Sequence, residues 1–289
     1  MLYARAYAKI NWSLDIVGLR EDGYHLMDML MQTISLHDTL SFEMAEDITL
    51  LAADNPVPTI PYDDSNLIVK TARLLQKACH VCQGVRIRLD KKIPSGAGLG
   101  GGSADAAATL MALNTLWKLH LSKETLHEYA LQLGADVPFL LEGGLARVGG
   151  IGEIITPLRP PSLALVVVQP CHGLSTKEIF TDYDNLSSLQ HPNLAEVEQA
   201  LLQNDCVALS NAMGNVLAYV SEPKCPQIRI AIEKLISQGA TGAMMTGSGS
   251  AVFGVYSSKE KALHAYEELQ REYECCHLCE SISHGIGVE

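Results

Sequence analysis

The chain of 289 residues is 47% hydrophobic and 19% charged, which excludes a disordered chain and leaves room for two domains at about 150 residues each. Its 33 acidic and 21 basic residues give a formal charge of −12. That sign repels nucleic acid and anionic membrane, yet it allows a locally positive pocket for a small anion.

The first residues carry no apolar leader with a cleavage site, so no secretory signal is expected. Tyr3 to Val17 and Met29 to Glu43 read as strands. Asp54 to Asp64 holds three prolines and reads as a loop. Ser65 to His80 places Leu67, Ile68, Ala72 and Leu75 at helical spacing, and Gly84 to Leu89 alternates as a strand with one wet face. Ser103 to His120, rich in Ala, Leu and Met, is the clearest helix. Ser122 to Leu133 follows as a second, with Ser122 as N-cap and Gly134 as its stop. A Gly-rich stretch, Gly143 to Ile155, runs into Pro157, Pro160 and Pro161, and a domain boundary is expected there, dividing 1–156 from 157–289.

Beyond it, Leu163 to Val168 is a continuous aliphatic strand of the kind buried on both faces, and it is far short of the about 20 residues a membrane span needs. Two or three helices are expected between Asn193 and Gln238, then strands at Ala243 to Met245 and Ala251 to Tyr256. A helix over Lys259 to Tyr273 and a last strand near His277 to Ser283 complete the chain. This order is that of a ferredoxin-like α+β domain. The cysteines of a long chain without a leader are expected to be reduced thiols. The clusters Cys79-His-Val-Cys82 and Cys275-Cys276-His277-Leu-Cys279 lack the paired spacing of a structural zinc site and read as small apolar side chains.

The most informative stretch puts five glycines into positions 96–102, between a strand ending near Leu89 and the Ala-rich helix. Backbone N–H groups at a helix N-terminus bind anions, and glycine lets the main chain approach a phosphate closely. Gly96, Gly98 and Gly101 satisfy GxGxxG formally, but the next element is a helix followed by another helix, not a second parallel strand ending in an acid. A Walker loop fails too, because no Lys stands between Gly102 and Ser103. A flexible linker is not usually pinned between a regular strand and a strong helix, so a non-Walker phosphate loop is the favoured reading. Asp136 follows a helix stop and precedes Val137-Pro138, a dipeptide that disfavours a helical Val137 and holds the acid in a sharp turn. Alone it reads as a turn or N-cap acid. Lys9, in an apolar strand, alone reads as a snorkelling side chain; together the two could serve as base and cation for phosphoryl transfer.

Taken together, these segments resemble the GHMP small-molecule kinases. The resemblance is carried by Ala8-Lys9-Ile10-Asn11, Gly23-Tyr24-His25, Asp64-Ser-Asn66-Leu-Ile, Pro94 to Ala104, Leu133-Gly-Ala-Asp136-Val-Pro138-Phe139 and Met245-Thr-Gly247-Ser-Gly249-Ser250, from residue 4 to about residue 256. It implies an α+β fold of two domains, the first like ribosomal protein S5 domain 2 and the second ferredoxin-like, with ATP and substrate meeting between them. The Gly-Tyr-His and Gly-Ala-Asp-Val-Pro elements point to transfer of the ATP γ-phosphoryl to the 2-hydroxyl of a cytidine-diphosphate-linked methylerythritol, a step of non-mevalonate isoprenoid synthesis. The alternatives are a homoserine, mevalonate or sugar kinase of the same family, or a non-catalytic nucleotide-binding protein.

By the same resemblance, Asp136 is the general base and Lys9 the cation beside it. Pro94, Ser95, Gly96, Ala97, Gly98, Leu99, Gly100, Gly101, Gly102, Ser103 and Ala104 wrap the ATP phosphates, and Asn66 lies near the adenine. Magnesium is expected with ATP, Ser103 being the best candidate ligand. Tyr24 stacks on cytosine, His25 bonds its edge, Phe180 closes the other face and Asn11 contacts the polar head. Trp12 and Thr181 depart from the family pattern, the latter standing where some relatives carry a Lys that Lys177 could replace. A cytoplasmic monomer or weak homodimer, with no nucleic-acid or membrane partner, is the expectation.

Overall fold

The computed structural model describes residues 1–54, 56–187 and 189–289; Asn55, within the loop expected at 54–64, lies outside them. Two strands far longer than average open the chain, β1 (Leu2–Leu19) and β2 (His25–Ala45), forming one antiparallel hairpin. Its register shifts between Tyr7 and Lys9 and between Asn11 and Ser13, so irregularities bracket the segment that carries the Lys and the Asn. The first half of β2 pairs with β5 (Leu145–Gly150), which pairs with β6 (Ile154–Leu158). The second half pairs with β4 (Gly84–Asp90), which lies beside β3 (Thr49–Ala52).

Helix α1 (Leu67–Ala78) buries Ile68, Val69, Thr71, Ala72 and Leu75 and packs against α2 (Gly101–Leu116). Helix α2 is buried on nearly every side, and its alanines let β1, α1 and α4 (Val137–Glu142) approach closely. Helix α3 (Lys123–Leu133) is capped as expected, Ser122 accepting from the Thr125 N–H. Val137 departs from expectation by opening α4. Pro138 sits in the first turn, where its missing N–H would have had no partner anyway, and this outweighs the usual restriction on the residue before proline.

The second sheet is antiparallel in the order β11-β7-β10-β9, built from β7 (Ala164–Gln169), β9 (Gly242–Met245), β10 (Val252–Tyr256) and β11 (Cys275–Glu280). In chain order this is 4-1-3-2, with helices after the first and third strands, as the ferredoxin-like expectation requires. The helices are α5 (Thr176–Tyr183), α6 (Leu194–Gln203), α7 (Cys206–Ala212), α8 (Ala218–Lys224), α9 (Gln227–Ser237) and α10 (Lys259–Leu269). Four of these, where two or three were expected, fall between Asn193 and Gln238, because short turns and Pro226 divide the segment.

The halves interlock. The two-residue strands β8 (Gly214–Asn215) and β12 (Gly287–Val288) both pair with β1, and β6 runs to Leu158, past the boundary expected after 156. Trp12 of β1 is fully buried edge-on against Phe253 of β10, ring centroids 5.3 Å apart, so the departure at this position is absorbed in the shared core. The expectation of free thiols fails at one pair: Cys171 and Cys225 form a disulfide across 54 residues, because the end of β7 and the end of α8 meet behind the glycine loop. Among the described residues no group of three or more His, Cys, Asp or Glu is placed to hold a metal, and no helix is long and apolar enough to cross a membrane.

Candidate active site

The glycine loop closes over β1. The Lys9 N–H donates to the Leu99 carbonyl at 3.0 Å, and an ideal Cβ on Gly100 would stand 3.1 Å from Lys9 Cγ. The loop also meets its C-terminal counterpart. A Cβ on Gly98 (φ +78°) would stand 2.3 Å from the Thr246 carbonyl oxygen, and the Ala251 N–H donates to the Ala97 carbonyl at 3.0 Å. Two glycine turns from the two halves of the chain are therefore in backbone contact, a closeness that no side chain would permit.

Below them lies a cavity of about 1060 Å³. Its lining includes Lys9, Asn66, Asp136, Tyr24, His25, Phe180 and every residue from Pro94 to Ser103. Lys9 Nζ stands 3.9 Å from Asp136 Oδ2. The Lys9 side chain is only 5% exposed, whereas that of Asp136 is 34% exposed. The carboxylate is thus open to a ligand while the ammonium is enclosed. Burial lowers the pKa of Lys9, and the Asp136 charge works against that effect.

Asn11 departs from expectation. It is fully buried and does not line the cavity. Its Oδ1 accepts from Lys9 Nζ at 2.8 Å, from the Gly247 N–H at 3.1 Å and from Thr246 Oγ1 at 3.3 Å. It orients the Lys9 ammonium and ties β1 to the C-terminal glycine turn, with no lone pair left for a substrate head. Ala104 departs likewise: it is fully buried in α2 and faces the core. Asn66 caps α1, accepting from the Ile68 N–H at 2.9 Å, and donates to the Pro61 carbonyl at 2.7 Å. It lies on the cavity beside Ile60 and Leu67, an apolar cleft suited to a flat base.

At the opposite end, the hairpin tip carries Tyr24, over which the Arg20 guanidinium sits 5.5 Å from the ring centroid. Helix α5 brings Phe180 to 5.0 Å from the His25 ring. Thr181 bonds the Lys177 carbonyl, and both residues face the cavity; Lys177 makes no ion pair among the described residues, so its ammonium is free for an anionic ligand. Thr176 and Ser248 share a hydrogen bond of 2.9 Å at the cavity wall.

One charged group was not anticipated. Lys91, beneath the glycine loop, bonds Asp38 at 2.5 Å and Asp105 at 2.7 Å, all three side chains buried. Desolvation pulls the Lys91 pKa down, but the two carboxylates outweigh it and the net shift is upward. Burial pushes Asp105 up to about 8, against the pull of Lys91. An acid set among the alanines of α2 was the available signal, since a buried carboxylate demands a partner.

The cavity suits a nucleotide. The Ser95 hydroxyl, at the foot of the loop, is buried without a hydrogen-bond partner among the described residues, as a phosphate-facing donor would be. Ser103, in the first turn of α2, is half-buried on the cavity, and its Oγ lies 3.9 Å from an ideal Cβ on Gly134, across from the turn that carries Asp136. A hydroxyl between the phosphate loop and the acid is the kind of oxygen donor a magnesium–phosphate complex takes.

Comparison with known proteins bears on the family. The family described as GHMP kinases N terminal domain matches residues 66–144, and GHMP kinases C terminal matches residues 188–275. The chain is 43% identical over 284 residues to a Thermoanaerobacter pseudethanolicus protein described as 4-diphosphocytidyl-2-C-methyl-D-erythritol kinase, covering 98% of this chain and 97% of that one. A Clostridium perfringens protein of the same description is 42% identical over 270 residues, 93% of each chain. A crystal structure of 4-(cytidine 5'-diphospho)-2C-methyl-D-erythritol kinase superposes with a TM-score of 0.80 at 31% identity, over 96% of this chain and 98% of that one. A homoserine kinase from Cytophaga hutchinsonii, with a TM-score of 0.75 at 20% identity over 100% and 97% of the two chains, shares the fold.

Proposed function

The chain belongs to the GHMP kinases, and we propose that it transfers the γ-phosphoryl of ATP to the 2-hydroxyl of 4-diphosphocytidyl-2-C-methyl-D-erythritol. The observation that carries the mechanism is the Lys9–Asp136 pair, 3.9 Å apart in the cavity lined by the phosphate loop. Backbone N–H groups of the loop at 96–103 and the Ser95 hydroxyl bind the phosphates. Asn66 and the apolar residues near it take the adenine. Tyr24 and Phe180 hold the cytosine between them, and Lys177 faces the substrate diphosphate.

Asp136 accepts the proton of the 2-hydroxyl. The hydroxyl oxygen forms its bond to the γ-phosphorus as the bond from that phosphorus to the bridging oxygen breaks and ADP leaves. Proton transfer cancels the charge beside Lys9, so the enclosed ammonium then faces the negative charge of the transferring phosphoryl alone. Asn11 holds that ammonium in place. Magnesium, with Ser103 as its protein donor, would neutralise phosphate charge when bound. We also propose a cytoplasmic location, a compartment that supplies ATP.

ADP release measured with diphosphocytidyl-methylerythritol, mevalonate and homoserine in parallel tests this reading. Turnover is expected with the first substrate only; equal or faster turnover of either other substrate would refute it.

A further inference from the structure

His25 is not alone at the cytosine end of the cavity. Its Nε2 lies 2.7 Å from Asp184 Oδ1, at hydrogen-bond distance. The ring is held on one side by Phe180 and edge-on by Tyr183, 6.2 Å away with the planes at 86°. The His25 side chain is 14% exposed and that of Asp184 52% exposed. The two come from opposite halves of the chain, His25 from the start of β2 and Asp184 from the residue that ends α5. Phe180 and Asp184 are four residues apart on one helix, so the residue that stacks and the residue that accepts share a face.

An ionised carboxylate only accepts hydrogen bonds. Held against Asp184, the neutral imidazole must carry its proton on Nε2, which leaves Nδ1 a lone pair. Nδ1 makes no hydrogen bond within the protein among the described residues and is not enclosed, and His25 lines the cavity. Cytosine and uracil differ at this kind of contact: the 4-position of cytosine is an amino donor, whereas that of uracil is a carbonyl acceptor.

We infer that Asp184 is a positioning residue that fixes the His25 tautomer, so that Nδ1 accepts from the cytosine amino group and the site rejects uracil. The inference rests on the reading that this cavity takes a cytidine diphosphate. A site that presents an acceptor to an acceptor leaves both unpaired, and a net hydrogen bond of about 1 kcal/mol sets the scale at roughly fivefold to tenfold in affinity. Without Asp184 the ring can also carry its proton on Nδ1 and donate to the uracil carbonyl.

The test is calorimetric binding of cytidine 5'-diphosphate and uridine 5'-diphosphate to the wild-type protein, Asp184→Ala and Asp184→Asn. Nitrogen NMR of the histidine rings runs alongside. Asp182→Ala, which removes an acid of the same helix bonded to Lys224, is the control. The wild type and the control are expected to prefer the cytidine nucleotide, with His25 Nε2 protonated. Asp184→Ala should lose about tenfold of that preference and show a mixed tautomer, with Asp184→Asn in between. A wild type with no cytidine preference overturns the functional reading and this inference together. A wild type that prefers cytidine, with the full preference retained in Asp184→Ala, overturns the inference alone. So does a wild-type ring protonated on Nδ1.

Discussion

Gly98→Ala tests whether the two glycine turns form one rigid wall. The added Cβ would stand 2.3 Å from the Thr246 carbonyl oxygen and 3.2 Å from the Gly249 nitrogen, both backbone atoms that no rotamer change can move. Reaching ordinary contact near 3.4 Å means opening the turns by about 1 Å, a misplacement that costs about 10²-fold in catalysis when it reaches reacting groups. It does reach them, because Leu99 bonds the Lys9 N–H and Gly247 bonds Asn11, which holds the Lys9 ammonium. The left-handed conformation adds about 1–2 kcal/mol of destabilisation for alanine. Gly239→Ala is the matched control, with φ +87° and nothing within 4 Å of its Cβ. Thermal unfolding and steady-state ADP release would be measured for both variants. Both should lose about 1–2 kcal/mol of stability or slightly more, but only Gly98→Ala should lose about 10²-fold in kcat/KM. Equal kcat/KM in the two variants would show that the turns do not transmit strain to Lys9.

The folded chain keeps a proton on Asp105 up to about pH 8, whereas the unfolded chain releases it near the ordinary carboxylate value of 3.8. Its contribution to stability is therefore fully present below the lower value and is lost as pH rises through the higher one. Denaturant unfolding should show stability falling from pH 6 toward 8, and Asp105→Asn, which keeps an acceptor for Lys91, should flatten that slope; an unchanged slope would remove Asp105 as its source. Tyr24→Ala should raise KM for the cytidine substrate roughly tenfold, the scale of one base-stacking contact, with KM for ATP unchanged. A parallel rise in both constants would place Tyr24 outside the cytosine site.

Much of the candidate site is legible because its residues contradict their surroundings. Glycines at 96–102 between a strand and a helix, a Lys in an apolar strand and an acid before Val-Pro each demand a reason, and the cavity supplies one for all of them. The buried position of Asn11 is not legible in the sequence, because alternation along a strand places it on the face of Lys9 but does not say whether that face meets solvent or another loop. Asp184 carries a faint signal, one helical turn beyond Phe180, that only the position of His25 makes meaningful. The strands β8 and β12 were invisible because two residues have no periodicity, only a partner. The Cys171–Cys225 pair joins segments 54 residues apart, and no spacing rule reaches that far.

The account stands on Asp136 as the group that takes the substrate proton. Asp136→Asn keeps the size of the side chain and removes its basicity, so ATP binding and folding should match the wild type while kcat for diphosphocytidyl-methylerythritol falls by about 10²–10⁴-fold. A variant that binds ATP normally and turns over at the wild-type rate would contradict it.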